Sequence, residues 1–463
     1  MSQPPGRQIY HLDRLPERVR SRLTVPPALR VVLGLLALIL LGTLALSLPG
    51  MHTRPMTFME ALFTATSSVT VTGLSVITAA TDLTRLGQVT LLALIQLGGV
   101  GYMVMAVLTL RLLGRRVSLL DRLALSTSLG LDRPTEVLQL VRRALVAIVI
   151  AEGLGAIVLY IHWRTSGIVP ETEALFYALF HAVSAFCNAG FDLFVGLPRY
   201  PTGLPDDPVT LLVMGVLVTL GGIGFPVIIE LSNWRLRQRL SLHARITLWT
   251  MLLLTLVGWF GLLAAEFRHG VLAEAPLTEQ VVTTWFQSVS TRTAGFPGLR
   301  DFELLTQESR LLVMALMFIG SAPSSMGGGI TTGTFAVLMV GLISYARGLP
   351  RARIAGRSID RGTVRRAGAV LTVSITVVIG AAWLILLTHD LSMDTVLFEV
   401  VSALATCGLS LGITVELNTF GRLVIMLMMF WGRLGALTIV IAILQRRIAQ
   451  RLVEYPDESV LIG

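Results

Sequence analysis

The sequence predicts an all-α polytopic membrane protein, with four pseudo-repeated helix–pore loop–helix units and eight spanning helices around a central pore. The 463 residues are 54% hydrophobic and 14% charged, with a mean hydropathy of +0.75. Soluble domains carry about 25% charged residues. Apolar runs of the roughly 20 residues that span a bilayer recur along the chain. Shorter segments of mixed polarity separate these runs and share a glycine-centred pattern.

Eight apolar runs are expected to span the membrane as helices, and they form four pairs. The runs are 29–49, 84–113, 142–162, 209–231, 243–265, 310–345, 364–388 and 420–444. Within the pairs lie the shorter segments 57–74, 172–190, 279–295 and 394–408. These segments are too short and too polar to cross a bilayer, yet too apolar for ordinary loops. Two interpretations stay open: surface loops with amphipathic turns, or re-entrant segments that enter the membrane and return.

The distribution of arginine predicts the orientation of the chain. Arginines cluster in the connections between pairs, within 115–143, 235–245 and 347–366, and again at 446–451. Loops inside the pairs carry acids such as Asp206 and Glu279. The positive-inside rule then places both termini and all connections between pairs in the cytoplasm of a multi-pass plasma-membrane protein. The net charge of +9 is a topology signal, and we expect no nucleic-acid partner.

A fourfold internal repeat becomes visible when the short segments are aligned on one glycine each. The aligned residues are Gly73 in TVTGLS, Gly190 in FCNAGF, Gly295 in TRTAGF and Gly408 in ATCGLS. Ten positions earlier lie the aromatic residues Phe63, Phe180, Trp285 and Phe398. Six positions before the glycines lie Ser67, Ser184, Val289 and Ser402. A shared aromatic residue and matched spacing in four places indicate one unit used four times.

Each short segment has the features of a cation filter. A short helix that ends near the glycine directs its partly negative C-terminal end inward, where it favours a cation. Non-helical backbone at membrane depth survives only where it lines water or is buried in protein, and its carbonyls can replace an ion's water shell. Glycine permits a turn closed to other residues. We expect hydrogen bonds from Thr72, Thr293, Thr406 and the Asn188 amide to hold the loops.

The alternative is that these glycines only allow close helix packing. A second glycine register follows in the next span, at LGGVGY (97–102), LGGIGF (220–225), IGSAPSSMGGG (319–329) and WGRLGA (431–436). For LGGVGY and LGGIGF we favour the packing interpretation. Neither is a dinucleotide-binding fingerprint, because both lie within spans and lack a preceding strand.

The aligned motifs resemble the Trk/Ktr/HKT superfamily of potassium transporters, and most closely its KtrB-type ion-translocating membrane subunit. The likeness runs from about residue 29 to the end, and the ending PDESVLIG is similar to that of the Ktr branch. The resemblance implies potassium uptake by a homodimer that is regulated by a cytosolic ring of nucleotide-binding subunits. It also implies K⁺, and often Na⁺, as the transported ion, with no cofactor in this chain. Na⁺ coupling stays open.

Carried over by resemblance, the K⁺-binding filter comprises three residues from each unit. These are Val71, Thr72, Gly73, Asn188, Ala189, Gly190, Thr293, Ala294, Gly295, Thr406, Cys407 and Gly408. In this superfamily a serine in place of the first glycine accompanies sodium permeation, so Gly73 favours potassium.

A gate is expected below the filter, in the long run 310–345. Its centre, SAPSSMGGGITTGT, contains Pro323 and the gate residues Gly327, Gly328 and Gly329, which break helices. In the resembled family this loop obstructs the pore, although here Thr331 replaces a frequent lysine. A packing kink is the alternative.

Arg433, in FWGRLGALT, is the fourth expected gate residue. An arginine this deep normally faces a cavity or a partner, and the matching family residue faces the pore near the gate loop. A side chain that reaches to the membrane interface is the alternative.

The predicted organisation has six segments. They are an N-terminal tail (1–28), repeat 1 (29–113), a linker with repeat 2 (114–231), repeat 3 with the gate loop (232–346), a linker with repeat 4 (347–445) and a C-terminal tail (446–463). The sequence lacks a GxxxxGK[ST] loop, so ion gradients are the expected driving force. We expect no catalytic residues. The alternatives are a less selective Na⁺/K⁺ pathway and, more remotely, an intramembrane serine hydrolase that uses His181 and Ser184.

Overall fold

The fold is seen in a computed structural model that describes residues 27–101, 137–197, 199–200, 203–232, 240–299 and 301–435. Within these ranges, helices and their connecting turns form four consecutive units. The first unit comprises α1 (Pro27–Leu46), α2 (Phe58–Thr70), α3 (Ala79–Asp82) and α4 (Arg85–Val100). The second comprises α5 (Val137–Thr165), α6 (Glu171–Phe186), α7 (Pro208–Ile223) and α8 (Phe225–Ser232).

The third and fourth units follow along the chain. The third contains α9 (Leu242–His269), α10 (Leu277–Ser290), a 3₁₀ turn (Phe302–Leu304), α11 (Gln307–Ile319) and α12 (Thr332–Ala346). An antiparallel pair of strands, β1 (Arg353–Ile354) and β2 (Arg357–Ser358), follows. The fourth contains α13 (Arg361–Leu386), α14 (Met393–Ala405), a 3₁₀ turn (Ile413–Val415) and α15 (Thr419–Leu434). We call α2, α6, α10 and α14 the short helices.

Local signals explain where the short helix α2 begins and ends. The Thr57 hydroxyl accepts a hydrogen bond from the Glu60 amide, and the Glu60 carboxylate accepts one from the Thr57 amide at 2.7 Å. This reciprocal capping satisfies two backbone donors that a helix start leaves free. The helix stops where Val71 adopts a left-handed conformation with φ of 56°. Residues 63–72 are buried without interruption, although six of the ten carry hydroxyls.

Three described helices are long and apolar enough to cross a membrane. They lie within Arg142–Thr165, Leu242–Phe267 and Arg361–Leu386. Val31–Leu46, Arg85–Val100 and Thr332–Ala346 are apolar but shorter. The expected eight spans stay a prediction, because 102–113 and 436–444, which complete two of the predicted runs, lie outside the described residues. The same holds for residues 1–26 of the predicted N-terminal tail, for the predicted C-terminal tail and for much of the first cytoplasmic linker.

The predicted continuous run 209–231 is wrong. α7 and α8 meet at an angle of 103°. Gly224, between them, has a φ of 92°, and the Phe225 amide donates to the Ser324 carbonyl at 3.1 Å. The chain bends here because a loop of the third unit passes beside it and takes up a backbone amide. The predicted run 310–345 is interrupted as expected, since α11 and α12 are separated by residues 320–331.

The four units pack in a closed cycle. α4 of the first unit packs against α6, α7 against α10, α11 against α14, and α15 of the fourth unit returns to α2 of the first. Each short helix therefore lies between its own unit and the preceding one. Glycine allows close approach within units: a β-carbon on Gly98 would collide with the Val69 carbonyl, and one on Gly432 with the Leu404 carbonyl. For LGGVGY, this is the expected packing role.

Apolar side chains on the outside of the long helices suit a lipid environment. Large exposed residues recur on them, among them Val149, Ile157, Trp249, Phe260 and Ile379. The short helices are instead enclosed by the cycle. Their buried aromatic residues are Phe63, Phe180, Phe286 and Phe398, each without measurable exposure.

Candidate functional site

The four aligned glycines lie beside one another in a ring. A β-carbon built on Gly73 would lie 3.0 Å from the Cα atom of Gly190, and one built on Gly190 would lie 3.2 Å from that of Gly295. One on Gly295 would lie 3.2 Å from the Cα atom of Gly408, and one on Gly408 would lie 3.0 Å from that of Gly73. The cycle closes, and we call these four residues the glycine ring. It has no room for a side chain unless backbone moves.

Backbone carbonyl oxygens accompany the ring. The carbonyl of the residue before each glycine lies against the glycine of the preceding unit. These carbonyls belong to Thr72, Ala189, Ala294 and Cys407. The Ala189 oxygen lies 2.6 Å from the β-carbon position of Gly73, and the Ala294 oxygen lies 2.9 Å from that of Gly190. Each unit therefore contributes one carbonyl that lies beside the ring glycine of a neighbouring unit.

The backbone at the ring adopts the same unusual conformation in each unit. The ring glycines have φ values of 96°, 69°, 76° and 95°. The residues two positions earlier are also left-handed: Val71 (56°), Asn188 (57°), Thr293 (77°) and Thr406 (49°). Residues other than glycine rarely adopt this conformation, and such strain clusters at functional sites.

Hydroxyl groups of the short helices hold the ring segments. The Ser67 hydroxyl accepts from the Gly73 amide at 3.0 Å, and the Ser402 hydroxyl accepts from the Gly408 amide at 3.1 Å. The Ser184 hydroxyl donates to the Phe191 carbonyl at 2.8 Å. These bonds explain why serine precedes three of the glycines by six positions.

The third unit is shifted by one residue. Ser290, not the aligned Val289, donates to the backbone beyond the glycine, at the Phe296 carbonyl (2.6 Å). Likewise Phe286, not the aligned Trp285, is the fully buried aromatic residue of α10. Trp285 is half-buried and packs towards Gly215 of α7. The sequence alignment is wrong at these two positions because α10 connects to its glycine through one residue fewer.

The four polar residues expected to hold the loops have different partners. Thr72 pairs with the Thr70 hydroxyl at 2.8 Å, and Thr293 pairs with the Ser321 hydroxyl at 2.6 Å. With its amide oriented to satisfy its neighbours, Asn188 donates to the Ala185 and Val218 carbonyls at 3.0 and 3.1 Å and accepts from Thr293 at 3.3 Å. The expectation therefore holds for these three.

Thr406 differs, since its buried hydroxyl has no partner among the described residues.

A cavity of about 750 Å³ opens on one face of the ring. It is lined by the ring glycines and the residues that follow them. Four acidic residues line it, Asp82, Asp192, Asp301 and Glu303, and no basic residue of the described ranges does so. Asp82 is paired with Arg54 at 3.1 Å, and this hydrogen bond raises the pKa of the Arg54 guanidinium. Because its lining contains four acidic residues and, within the described ranges, no basic one, the cavity favours cations over anions.

Residues 320–331 lie against the other face of the ring, and we call them the intramembrane loop. A β-carbon on Gly327 would collide with the Thr293 hydroxyl, and one on Gly328 would lie 2.7 Å from the Thr406 hydroxyl. Both threonines stand two positions before their ring glycines. The loop amides of Ala322 and Met326 donate to α7 carbonyls, so its irregular backbone is supported.

Arg433 joins the intramembrane loop to α4. Its guanidinium donates to the Met326 carbonyl of the loop and to the Gly98 and Gly99 carbonyls at the end of α4. The bond to Gly99 measures 2.9 Å. The side chain is thus committed to three carbonyls inside the protein. The expected gate residues Gly327, Gly328 and Arg433 lie together, and Gly329 packs against Gly320 at the base of the loop.

The residues of the hydrolase alternative do not form a catalytic pair. The His181 ring contacts the Asp192 carboxylate at 3.0 Å and the Tyr177 carbonyl at 2.7 Å. Ser184 donates to a backbone carbonyl. Both side chains are fully buried, so neither presents a nucleophile to water.

The two cysteines are free and buried. The Cys187 thiol donates to the Gln96 side chain at 3.4 Å, and the Cys407 thiol donates to the Thr291 carbonyl at 3.3 Å. Both contacts cross between units, which agrees with small packing residues.

Sequence reasoning missed Arg292, which stands beside the ring in TRTAGF. Its side chain is buried and donates to the Thr255 hydroxyl of α9 at 2.5 Å. A charged residue within a re-entrant segment was the signal that could have singled it out.

Together, these features define an α-helical membrane transport protein, in which irregular backbone enclosed by apolar helices borders a polar cavity. A family model described as "TrkH: Cation transport protein" matches residues 29–451. The chain belongs to this TrkH family of cation transport proteins.

Two curated relatives match nearly the whole chain. The "Ktr system potassium uptake protein B" of Bacillus subtilis is 34% identical over 446 residues, covering 96% of this chain and 97% of that protein. The "Potassium/sodium uptake protein NtpJ" of Enterococcus hirae is 32% identical over 461 residues, covering 96% and 99%.

A solved structure shares the fold. The crystal structure of the potassium transporter TrkH from Vibrio parahaemolyticus matches with a TM-score of 0.69 and 19% identity, covering 89% of this chain and 84% of that chain.

Proposed function

We propose that this protein takes up K⁺ across the cytoplasmic membrane through a filter formed by the glycine ring and its carbonyls. The observation that carries the proposal is the closed cycle of Gly73, Gly190, Gly295 and Gly408, with one carbonyl from each unit beside it. Carbonyl oxygens on a shared axis replace the hydration shell of a monovalent cation. Relatives named for potassium uptake favour K⁺ as that cation.

In this proposal four repeats with eight spans surround one pore. The three residues from each unit, 71–73, 188–190, 293–295 and 406–408, are the K⁺ ligands, through backbone carbonyls and the neighbouring hydroxyls. The acidic cavity is the outer vestibule, where Asp82, Asp192, Asp301 and Glu303 raise the local cation concentration. The negative ends of the short helices add to this field.

The intramembrane loop is the proposed gate. It contacts the residues that precede the ring glycines, on the side away from the cavity, so a cation that leaves the filter meets it next. Arg433 holds the loop through Met326 and places a fixed positive charge beside the path. Opening requires that the loop leave Arg433 and the carbonyls of α7. By resemblance, a lysine is frequent in the family at the position of Thr331, and in this proposal Arg433 supplies the positive charge instead.

The membrane potential is the proposed driving force. A potential of 100 mV supplies about 2.3 kcal/mol per unit charge. The arginine-rich connections and both termini face the cytoplasm in this arrangement. By resemblance, we further propose a homodimer that is controlled by a cytosolic ring of nucleotide-binding subunits, and no enzymatic activity.

A second candidate is a pathway shared by Na⁺ and K⁺. The relative named for potassium and sodium uptake favours it. A filter with a single glycine per unit is also thinner than one built from a longer glycine-containing loop, so selectivity is expected to be incomplete.

Uptake by purified protein in lipid vesicles tests the proposal. We expect K⁺ uptake driven by an inside-negative potential, in the presence and absence of Na⁺, and growth at low K⁺ of a cell that lacks its own K⁺ uptake. Uptake that strictly requires Na⁺ would indicate coupling, and equal uptake of both ions would favour the second candidate. Neither K⁺ flux nor growth rescue would contradict the proposal.

A further inference from the structure

One position is equivalent in all four short helices, and in three of them its side chain contacts the segment that follows the ring glycine. With the one-residue shift of α10 taken into account, the equivalent residues are Thr64, His181, Gln287 and Glu399. Sequence alignment alone hides this equivalence, because it pairs Phe286 with the other three. The four side chains differ in chemistry although the surrounding backbone repeats.

Glu399 ties down the segment after Gly408. Its carboxylate is fully buried in α14 and accepts from the Ser410 hydroxyl at 2.8 Å and from the Thr414 hydroxyl. The Ser410 hydroxyl also accepts from the Gly412 amide at 3.1 Å, so the hydrogen-bond network continues into the segment after Gly408. Among the described residues, Glu399 has no cationic partner. A buried carboxylate is costly unless its oxygens are satisfied, and here two hydroxyls of the outer segment satisfy them.

His181 acts on the segment after Gly190 in the same way. Its Nδ1 atom lies 2.7 Å from the Tyr177 carbonyl, which makes it the donor there. Its Nε2 atom lies 3.0 Å from a carboxylate oxygen of Asp192, two positions beyond the glycine, and 3.3 Å from the Leu193 amide nitrogen. Edge-to-face contact with Trp163, at a centroid distance of 5.3 Å, holds the His181 imidazole in place.

In the other two units the equivalent side chain makes a hydrogen bond through an uncharged group or makes none among the described residues. In the third unit an uncharged amide, Gln287, accepts from the Gly298 amide at 2.7 Å. In the first unit the buried Thr64 hydroxyl has no partner among the described residues. The Ser75 hydroxyl of that unit bonds instead to its own loop, at the Ile77 carbonyl (2.6 Å).

We propose that Glu399 and His181 are positioning residues that hold the outer filter segments of two opposite units and so maintain the preference for K⁺ over Na⁺. The ring order places Gly190 across from Gly408. The hydrogen bonds of His181 and Glu399, which we call the tethers, therefore lie in units on opposite sides of the glycine ring. Na⁺ is smaller than K⁺, and carbonyls that cannot close around it coordinate it less well than they coordinate K⁺. This inference rests on the filter function proposed above.

Glu399 variants test the inference in vesicles, where K⁺ and Na⁺ uptake are measured on the same preparation. The readout is the ratio of the two rates, which does not depend on how much protein is inserted. We expect Glu399→Leu to lower the ratio about fivefold, since the loss of buried hydrogen bonds frees the segment. Glu399→Gln retains polar groups for both hydroxyls, as Gln287 does in its unit, and should restore a ratio within about twofold of the wild type.

His181→Phe keeps an aromatic side chain but loses both imidazole nitrogens. It should therefore also lower the ratio of K⁺ to Na⁺ uptake. An unchanged ratio in Glu399→Leu and His181→Phe would overturn the inference, and so would a glutamine variant that behaves like leucine. If Glu399→Leu does not fold, His181→Phe decides in its place.

Thr64→Val is the matched control, because it changes the equivalent position where no hydrogen bond exists. It should keep the wild-type ratio. A fall there would mean that any change at this position disturbs the filter, and would count against specific tethers.

Gly73→Ser separates the filter proposal from the tether proposal. If it leaves the ratio unchanged, the filter assignment fails. If it lowers the ratio while the Glu399 and His181 variants do not, only the tethers fail.

Discussion

A side chain on any ring glycine would meet the backbone of the neighbouring unit, so glycine is required there by contact as well as by conformation. At Gly73 a β-carbon would approach the Ala189 carbonyl at 2.6 Å while φ is 96°. Serine at this position must push the second unit away and leave its carbonyl misplaced. The hydroxyl also offers an oxygen that a smaller cation can use.

We therefore expect Gly73→Ser to lower the K⁺ to Na⁺ uptake ratio by roughly tenfold, the equivalent of about 1.4 kcal/mol. Rates measured with each ion in the same vesicles give this ratio. Gly50→Ser is the matched control, since Gly50 also has a positive φ (88°) but no atom within 4 Å of its β-carbon position. An unaltered ratio in Gly73→Ser would remove this glycine from the filter.

Arg433 offers a second test on a single side chain. It donates to Met326 in the intramembrane loop and to two carbonyls of α4. Hydrogen bonds to charged groups contribute about 1.5–3 kcal/mol each. Arg433→Ala removes these bonds and the positive charge, so we expect K⁺ flux at equal expression to rise by about tenfold or less.

Arg422→Ala serves as its control, because Arg422 lies in the same helix and, within the part of the chain that the structure describes, donates only to the exposed Val415 carbonyl at 3.0 Å. Its flux should match the wild type. Flux through Arg433→Ala that is unchanged or reduced would contradict the gate assignment.

Helices approach one another closely where glycine lies over a carbonyl. Gly98, Gly221 and Gly432 each lie against the end of the short helix in their own unit, beside the carbonyls of Val69, Phe186 and Leu404. Gly380 of α13 has no neighbour within 4 Å of its β-carbon position. Substitution by alanine should therefore lower the stability of the protein at the first kind of glycine and raise it at the second.

Gly432→Ala is expected to destabilise the protein by about 1–3 kcal/mol, since α15 must move away from α14. Gly380→Ala is expected to stabilise it by up to about 1 kcal/mol, because alanine has lower backbone entropy in the unfolded chain. Unfolding temperatures in detergent compare the two variants with the wild type. Equal effects of both substitutions would argue against the close packing of α15.

The broken helices show what helix patterns can and cannot predict. Pro323 and three consecutive glycines indicated the interruption between α11 and α12 correctly. The bend at Gly224 was missed, since LGGIGF is as apolar as its surroundings. Its cause is the bond from the Phe225 amide to Ser324, which lies 99 positions later in the chain. The shift of α10 was missed for a similar reason, because the tryptophan of the aligned pair is also aromatic.

The orientation of the assembled chain can be tested with cysteines placed at its two ends. The native Cys187 and Cys407 have no exposed surface, so they give no background with a thiol reagent. Ser166, between α5 and α6, and Ser358, in β2, are both exposed. The positive-inside rule puts the first outside and the second in the cytoplasm.

We expect a membrane-impermeant reagent to label Ser166→Cys in intact cells, and Ser358→Cys only after the membrane is opened. The wild-type protein, treated in parallel, should stay unlabelled. The reverse pattern would place the arginine-rich connections outside and would contradict the proposed topology.

Local sequence patterns established the class of protein and the interrupted helix, and they predicted the fourfold recurrence with one glycine in each unit, because hydropathy, spacing and glycine content act over short stretches of chain. The tertiary structure decided how the units connect: the cyclic order, the one-residue shift of α10, the bend at Gly224, the carbonyls to which Arg433 donates, and the different hydrogen bonding of His181, Gln287 and Glu399 at equivalent positions. These depend on contacts that form only when distant parts of the chain meet. The ring is one such contact, since Gly73 and Gly408 become neighbours only when the fourth unit packs against the first.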